Sequence, residues 1–531
     1  MYDLHIPILG LSEIKNKNFF NLIDVYVYFH KASKAQLEIF YSTAKDIAGE
    51  NIDKLNRERN SLSNYEYQNR IDYWTLKKRR LNRDVNMSIC IDTVEVLVRK
   101  ISKMTRHVLF TDDIYDDFKR RLLPPEFVKN QAVKIKFDKH QYPLTVSAEG
   151  LSKVKGVAGC GKTTILAQRA INALSRHHSQ ILILTYNITI RHYIRDTISR
   201  LYGEKVAQEI EIIHYHAFIK AKMNEHNISF VEKMEKFRGS EQERINKVFS
   251  DQTLFENIEL NKYKTILLDE VQDYEPEWIK IIRDNFLEEN GEMLIFGDQS
   301  QNIYERDDRK RESSLVHGFG RWNKLTKSFR SDINTPLVKL FSEFQKEFLV
   351  SKYKDCEVFE SSFTQSGFDF EQEVLIHKTI PDDIDGKEVA SLIISCMKKY
   401  SLHPNDVVII ASHVEPLLEI DVEISKIEKT KIMFENLEEV EYLKKINKFN
   451  RDEIEKIRRR KKSFFYQNSG LIKISTTHSF KGLEAETAFL IIQPKDSSEI
   501  VYTGMTRAKK NLVVFSCASS SFQTFFKSNI E

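Results

Sequence analysis

GVAGCGKT, running from Gly156 to Thr163, is the stretch whose reading decides the fold. It fits the pattern G-x-x-x-x-G-K-[ST] at every fixed position. Glycines at Gly156, Gly159 and Gly161 let backbone N–H groups wrap phosphates, and the helix that follows turns its positive dipole end toward them. In such a loop Lys162 holds the β- and γ-phosphates, the Thr163 hydroxyl binds Mg²⁺, and Thr164 continues into the helix beside the phosphates. Cys160 stands where another small residue would do.

On either side of this loop the chain alternates short apolar runs with amphipathic stretches. ILILT at 181–185, TILLD at 265–269 and MLIFG at 293–297 form one series. DVVIIA at 406–411, LIKIS at 471–475, TAFLII at 487–492 and NLVVFS at 511–516 form a second. Such alternation predicts parallel sheets covered by helices, here in two domains joined near residues 325–340. TILLDEVQD then puts Asp269 and Glu270 at the carboxyl end of a buried strand, where ligands of open α/β sheets gather. Asp269 is the expected Mg²⁺ partner, and Glu270 is suited to orient or deprotonate an attacking water. Together the two motifs point to hydrolysis of a nucleoside triphosphate, with ATP and Mg²⁺ expected at the site.

DEVQD and the segments after it resemble the UvrD/Rep-type helicases of superfamily 1. GDQSQNIY at 297–304 is similar to the family's third motif, LTKSFRS at 325–331 to the fourth, STTHSFKGLE at 475–484 to the fifth, and VYTGMTRAKKNLVV to the sixth. LTYNITIR and HYHAF at 214–218 resemble motifs Ia and Ib. The resemblance spans residues 138 to about 520 and implies two RecA-like domains with ATP in the cleft between them. It implies that Gln141 reads adenine, Gln301 senses the γ-phosphate, Phe329 stacks on the adenine and Glu484 touches the ribose. Arg330 and Arg507 become arginine fingers. On the nucleic-acid side it implies Thr185 on a backbone phosphate, Tyr186 as a base-stacker, and His216, Tyr304 and His478 near the strand. The implied substrate is single-stranded DNA, with RNA ranked below it, and the implied direction is 3′ to 5′.

The expected organisation is an accessory domain over residues 1–135, a first RecA-like domain over 136–330 with a small insertion at about 219–262, and a second over 331–531. Charged residues 414–468 read as a pair of surface helices inserted in the second domain. The first 135 residues show helical patterns around 33–60 and 91–106, no catalytic signature, and no resemblance of their own. They read either as a helical dock or as a module for a protein partner or nucleic acid, using Trp74 and the adjoining KKRR at 77–80. A second basic run, RRRKK, lies at 458–462.

Three departures from the family pattern stand out. Glu305, Arg306 and Asp307 follow Tyr304 where an aromatic and an arginine are usual, so a base-stacking position is lost. The regions that hold large accessory domains are short, and the first 135 residues are extra. A switch that closes on ATP to license a partner, as in a bacterial defence complex, is therefore the alternative to a translocating motor. His214 and His216 lie two residues apart on an expected short strand but lack cysteine or acidic neighbours, so they do not read as a metal pair.

Composition bounds the rest. The 81 Lys and Arg residues barely exceed the 77 Asp and Glu, so any nucleic-acid surface must be a local patch. The opening residues predict no secretory signal, no apolar run reaches the ~18 residues of a membrane span, and the five scattered cysteines predict a reducing, cytoplasmic setting.

Overall fold

The computed structural model describes residues 27–61, 64–101, 135–301, 318–327, 335–353, 373–447, 450–465 and 470–530. The chain divides into two compact units, Met1–Lys119 and Arg120–Glu531.

The first unit is a helical hairpin beside a small parallel ribbon. Strands β1 (Val27–Phe29) and β2 (Ser88–Cys90) pair in parallel, and two 24-residue helices, Lys34–Arg57 and Asn64–Met87, pack against each other. Ser33 starts the first helix through a capping box with Gln36, which satisfies two backbone donors that a helix end leaves open. Among the described residues the buried apolar set is Leu37, Ala48, Leu55, Val85, Ile89 and Cys90. The second helix carries the KKRR run and had no counterpart among the helical patterns expected from the sequence, because its charges mask any apolar stripe.

The second unit holds two six-stranded parallel sheets. The first comprises β3 (Gly150–Gly156), β4 (Ile181–Thr185), β5 (Ile210–His214), β6 (Tyr263–Leu268), β7 (Leu287–Gly297) and β8 (Trp322–Leu325). Their spatial order is β5-β4-β6-β7-β3-β8. The second comprises β9 (Leu375–Ile380), β10 (Val407–Ala411), β11 (Thr430–Ile432), β12 (Ile472–Thr476), β13 (Ala485–Ile492) and β14 (Ala508–Cys517), in the order β11-β12-β10-β13-β14-β9. Central strands such as β4 and β10 are buried along their whole length, which is why they read as unbroken apolar runs. These are the two parallel-sheet domains expected from the alternating pattern, and they are RecA-like as the resemblance implies.

The 414–468 region differs from the expected pair of surface helices. It holds three helices, Glu415–Ser425, Leu437–Lys445 and Arg451–Phe465, together with β11. β11 pairs with β12 and extends the sheet, while Leu417, Ile420 and Ile424 of the first helix join the core. Apolar spacing hidden among many charges made this segment look more peripheral than it is.

One buried cluster braces the first sheet away from its loops. Glu292 of β7 is fully buried and accepts from Arg169 Nε at 2.5 Å, Arg176 Nη2 at 3.1 Å, the Ser147 hydroxyl at 2.5 Å and the Thr265 hydroxyl at 3.1 Å. It ties the helix after the phosphate loop to two strands. Among the described residues no helix is long and apolar enough to cross a membrane.

Candidate active site

The phosphate loop leaves β3 at Gly156 and enters the helix Lys162–His177 at Gly161. Gly161 adopts φ +86°, and a Cβ there would stand 2.7 Å from Gln141 Nε2; only glycine meets both demands at once. A Cβ on Gly156 would collide with Cys160 Sγ at 2.5 Å and with Leu325 at 2.8 Å. Lys162 is buried and donates to the Gly156 carbonyl at 2.7 Å and the Val157 carbonyl at 3.2 Å. Its Nζ lies 3.6 Å from Asp298 Oδ2 at the end of β7, the strand that separates β3 from β6. Burial works against the charge of Lys162, but Cys160, Asp298, Glu270 and Asp269 outweigh it and raise its pKa.

At the end of β6 the chain makes a tight turn. Glu270 takes the left-handed conformation, φ 53° and ψ 51°, at a cost of order 1–3 kcal/mol for a residue with a side chain. The turn is held because Glu270 Oε2 accepts from Gln272 Nε2 at 2.5 Å and Gln272 Oε1 accepts from the Asp298 amide at 3.0 Å. Burial pushes the Glu270 carboxyl up, yet Lys481, Lys162, the Gln272 hydrogen bond and Arg507 together hold it below its ordinary range. Asp269 goes the other way, raised by burial and by the neighbouring Glu270 charge.

Asp269 Oδ1 accepts from the Glu270 amide at 3.1 Å, whereas its buried Oδ2 has no hydrogen-bond partner among the described residues. A buried carboxylate oxygen without a donor is costly. Thr163 lines the cavity, and its hydroxyl and the Asp269 carboxylate are hard oxygens of the kind that hold Mg²⁺.

The second RecA-like domain closes the site. A cavity of about 200 Å³ is lined by Gly159, Gly161, Lys162, Thr163, Thr164 and Glu270 from the first domain. Gln301, also of the first domain, meets Glu484, Arg507 and Lys509 of the second in the same wall. Arg507 is 1% exposed; its Nη2 donates to Gln301 Oε1 at 2.6 Å and its Nε to the Thr503 carbonyl at 2.8 Å. Lys481 crosses between the domains, with Nζ 2.7 Å from Asp273 Oδ1, 2.8 Å from Oδ2 and 2.7 Å from the Gln301 carbonyl. Asn187 Nδ2 donates back to the Lys481 carbonyl at 2.9 Å.

Of the sequence-expected nucleotide residues, Gly159, Gly161, Lys162, Thr163, Thr164, Glu270, Gln301, Glu484 and Arg507 line this cavity, whereas Gly156, Asp269 and Gln141 are buried and form no part of its wall. Gln141 is buried with its amide engaged: Oε1 accepts from the Asp138 amide at 3.1 Å and Nε2 donates to the Cys160 carbonyl at 3.0 Å. As placed, it braces the phosphate loop, with one N–H and one lone pair left for a base. Phe329 and Arg330 lie outside the described residues, as do Tyr304 and Glu305–Asp307.

Sequence reasoning passed over Asp298, Asp273, Lys481 and Lys509. All four sit inside motifs quoted above, so the signal was present. It was not used because a carboxylate and an ammonium reveal their pairing only when the two domains meet.

The strand-side residues fall into two groups. Tyr186 and His216 line a second cavity of about 760 Å³ with Lys220, Phe249 and Arg459. There Tyr186 stacks on Trp278 with centroids 6.3 Å apart, and His216 meets Trp278 edge-on at 4.8 Å. Thr185 is fully buried and its hydroxyl donates to the Asn187 carbonyl at 3.1 Å. His478 is half-buried in the short helix Thr477–Phe480. The expected strand through His214 and His216 is not formed. β5 ends at His214, which caps the helix Tyr215–Glu225 by accepting from the Ala217 amide at 3.0 Å. No group of three or more metal-binding side chains occurs among the described residues.

Comparisons with known proteins follow this division. The family model of an AAA domain matches residues 144–307, and that of a UvrD-like helicase C-terminal domain matches residues 471–515. No curated protein matches the chain. Among solved structures, the chain is similar to the DEAD-box helicase Mss116 bound to ssRNA and UDP-BeF, at 11% identity over 77% of this chain and 73% of that one, with a TM-score of 0.40. It is also similar to arterivirus nonstructural protein 10, a helicase, at 11% identity over 74% of this chain and 64% of that one, with a TM-score of 0.32. The two family matches fall one on each parallel-sheet domain, the first around Lys162 and Glu270 and the second around Lys481 and Arg507. Over those two stretches the chain is similar to AAA domains and to the C-terminal domain of UvrD-like helicases.

Proposed function

We propose that the protein is an ATP-driven motor on single-stranded DNA, hydrolysing ATP in the cleft between its two RecA-like domains and moving 3′ to 5′. One observation carries this reading: Lys162 and Glu270 of the first domain and Arg507 of the second line the same cavity.

Phosphoryl transfer asks for positioning and neutralisation of charge rather than covalent help. Lys162 and Arg507 supply positive charge from opposite walls. Glu270, held ionised by its cationic neighbours, accepts a hydrogen bond from water and fixes its line of approach. Thr163 and Asp269 are the residues that would hold Mg²⁺, which neutralises charge on the phosphates when bound. Gln301, bonded to Arg507, reports to the second domain on what the first one holds.

Because the charges come from two domains, hydrolysis depends on closure, and closure moves whatever strand both domains grip. Tyr186, His216 and His478, with Tyr304, are the residues we assign to that grip; aromatic rings hold bases at about 1–3 kcal/mol each without sequence preference. The direction and the choice of DNA follow from the family resemblance.

The test is steady-state ATP hydrolysis with single-stranded DNA, duplex DNA, single-stranded RNA or no nucleic acid. Tenfold or greater stimulation by single-stranded DNA supports the motor. Turnover that ignores every nucleic acid, yet is lost in Glu270→Gln, replaces it with a partner-controlled switch.

A further inference from the structure

Two basic runs were visible in the sequence, and the structure separates them. In the run 458–462 four of the five cations meet carboxylates. Arg458 forms a two-pronged pair with Glu435 at 2.7 Å on each arm, and Arg459 meets Glu455 at 3.1 Å. Arg460 lies 3.8 Å and Lys461 2.6 Å from Glu439. Three carboxylates thus contact four of the five cations of that run.

The run 77–80 differs. Lys77, Lys78, Arg79 and Arg80 are all exposed on the helix Asn64–Met87, and none has an acidic partner among the described residues. They carry four positive charges, as many as the net charge of the whole 531-residue chain. Arg70 lies on the same helix, and between positions 70 and 84 the only acids are Asp72 and Asp84, the latter paired with Arg83 at 3.2 Å. Like charges crowded on one helix destabilise it.

The lysine stem is also pre-positioned, with Lys77 Nζ 4.9 Å from the Trp74 ring and 5.9 Å from that of Tyr73. From Arg70 to Arg83 the helix axis advances about 20 Å, the rise of some six base pairs. Successive residues project about 100° apart, so the four consecutive cations fan around the rod. That fan suits the phosphate rows flanking a duplex groove. A single-strand track instead needs a succession of rings on which bases stack, and of the rings of this helix whose burial is described Tyr73 alone is well exposed.

We propose that the helix Asn64–Met87 is a second nucleic-acid site, which holds the phosphate backbone of duplex DNA through Lys77, Lys78, Arg79 and Arg80, separately from the strand grip of the RecA-like domains. It gives the N-terminal unit the task of anchoring the chain on the duplex.

The experiment uses the full chain and a fluorescently labelled 20-base-pair blunt duplex, with affinity measured by anisotropy between 50 and 200 mM salt. Removing three charges in K77Q/R79Q/R80Q is expected to weaken duplex binding at least tenfold at the lower salt. It should also reduce the slope of log affinity against log salt by about three. The charge-preserving variant K77R/R79K/R80K should keep both, which separates charge from folding. Basal ATP turnover should be unchanged in each, and stimulation by single-stranded DNA is read in parallel, so failure of the motor reading and failure of this one look different. An unaltered slope in the glutamine variant overturns the proposal. So does tighter binding of phosphatidylserine vesicles than of duplex, if that binding is lost in the same variant.

Discussion

Lys481 of the second RecA-like domain holds both carboxylate oxygens of Asp273 in the first, at 2.7 and 2.8 Å, and the two side chains are almost wholly buried. The pair lies one turn beyond Glu270, so the contact that joins the domains sits beside the carboxylate expected to direct water. Lys481→Met leaves Asp273 buried without its cation, which costs about 3–5 kcal/mol when a buried pair is broken. The expected result is a lower melting temperature. Adding Asp273→Asn should restore much of that loss, which a double-mutant cycle in thermal unfolding would read directly.

Turnover should depend on both walls of the cleft. Lys162→Ala is expected to abolish ATP hydrolysis, and Arg507→Ala to reduce it by about 10³–10⁵. Glu270→Gln should lower it by about 10²–10⁴ while a fluorescent ATP analogue still binds. Normal turnover in Lys162→Ala would overturn the assignment of the site.

Glu292 offers a test of stability with no role in chemistry. It receives Arg169, Arg176, Ser147 and Thr265 together. Glu292→Ala strands two guanidinium groups beneath the phosphate-loop helix and should cost about 3–5 kcal/mol. Urea unfolding followed by circular dichroism would measure it.

The helix cap at His214 predicts a pH effect. Burial first, then Arg191, Arg459 and Lys220, lower its pKa to about 4, and its Nδ1 must stay unprotonated to accept from Ala217. Between pH 6.5 and 4 the unfolded chain takes up a proton that the folded chain refuses. This contribution is therefore complete above pH 6.5 and lost as pH falls toward 4. His214→Asn keeps a capping acceptor without the titration. The drop in stability from pH 7 to pH 5 should be smaller in that variant by about 1 kcal/mol, allowing for partial exposure.

Much of this was legible in the sequence, for reasons that differ from place to place. Most central strands were plain because burial on both faces leaves nothing but apolar side chains, as in Ile181–Leu184 and Val407–Ala411. The phosphate loop was plain because its chemistry needs glycine, lysine and threonine at fixed spacing. The central strand β3 was not among the runs read, because Lys153 and Lys155 interrupt its apolar pattern, and the edge strands β8, β9 and β11 were missed because, solvated on one side, they admit residues such as Asn323, Lys378 and Lys431. The helix Asn64–Met87 was hidden because its composition is dominated by charge. Pairings across the cleft, Lys481 with Asp273 and Arg507 with Gln301, join positions about two hundred residues apart, and no local pattern announces such a partner.

The phosphate-loop lysine has its own consequence. Its ammonium already serves two carbonyls of the loop that carries it, so a triphosphate that takes Lys162 takes it from Gly156 and Val157. Binding there is a trade of one set of acceptors for another, and its net free energy is the difference between two good arrangements. The affinity for nucleotide should then be more modest than a tally of final contacts suggests, which suits a machine that must release its spent fuel on every cycle.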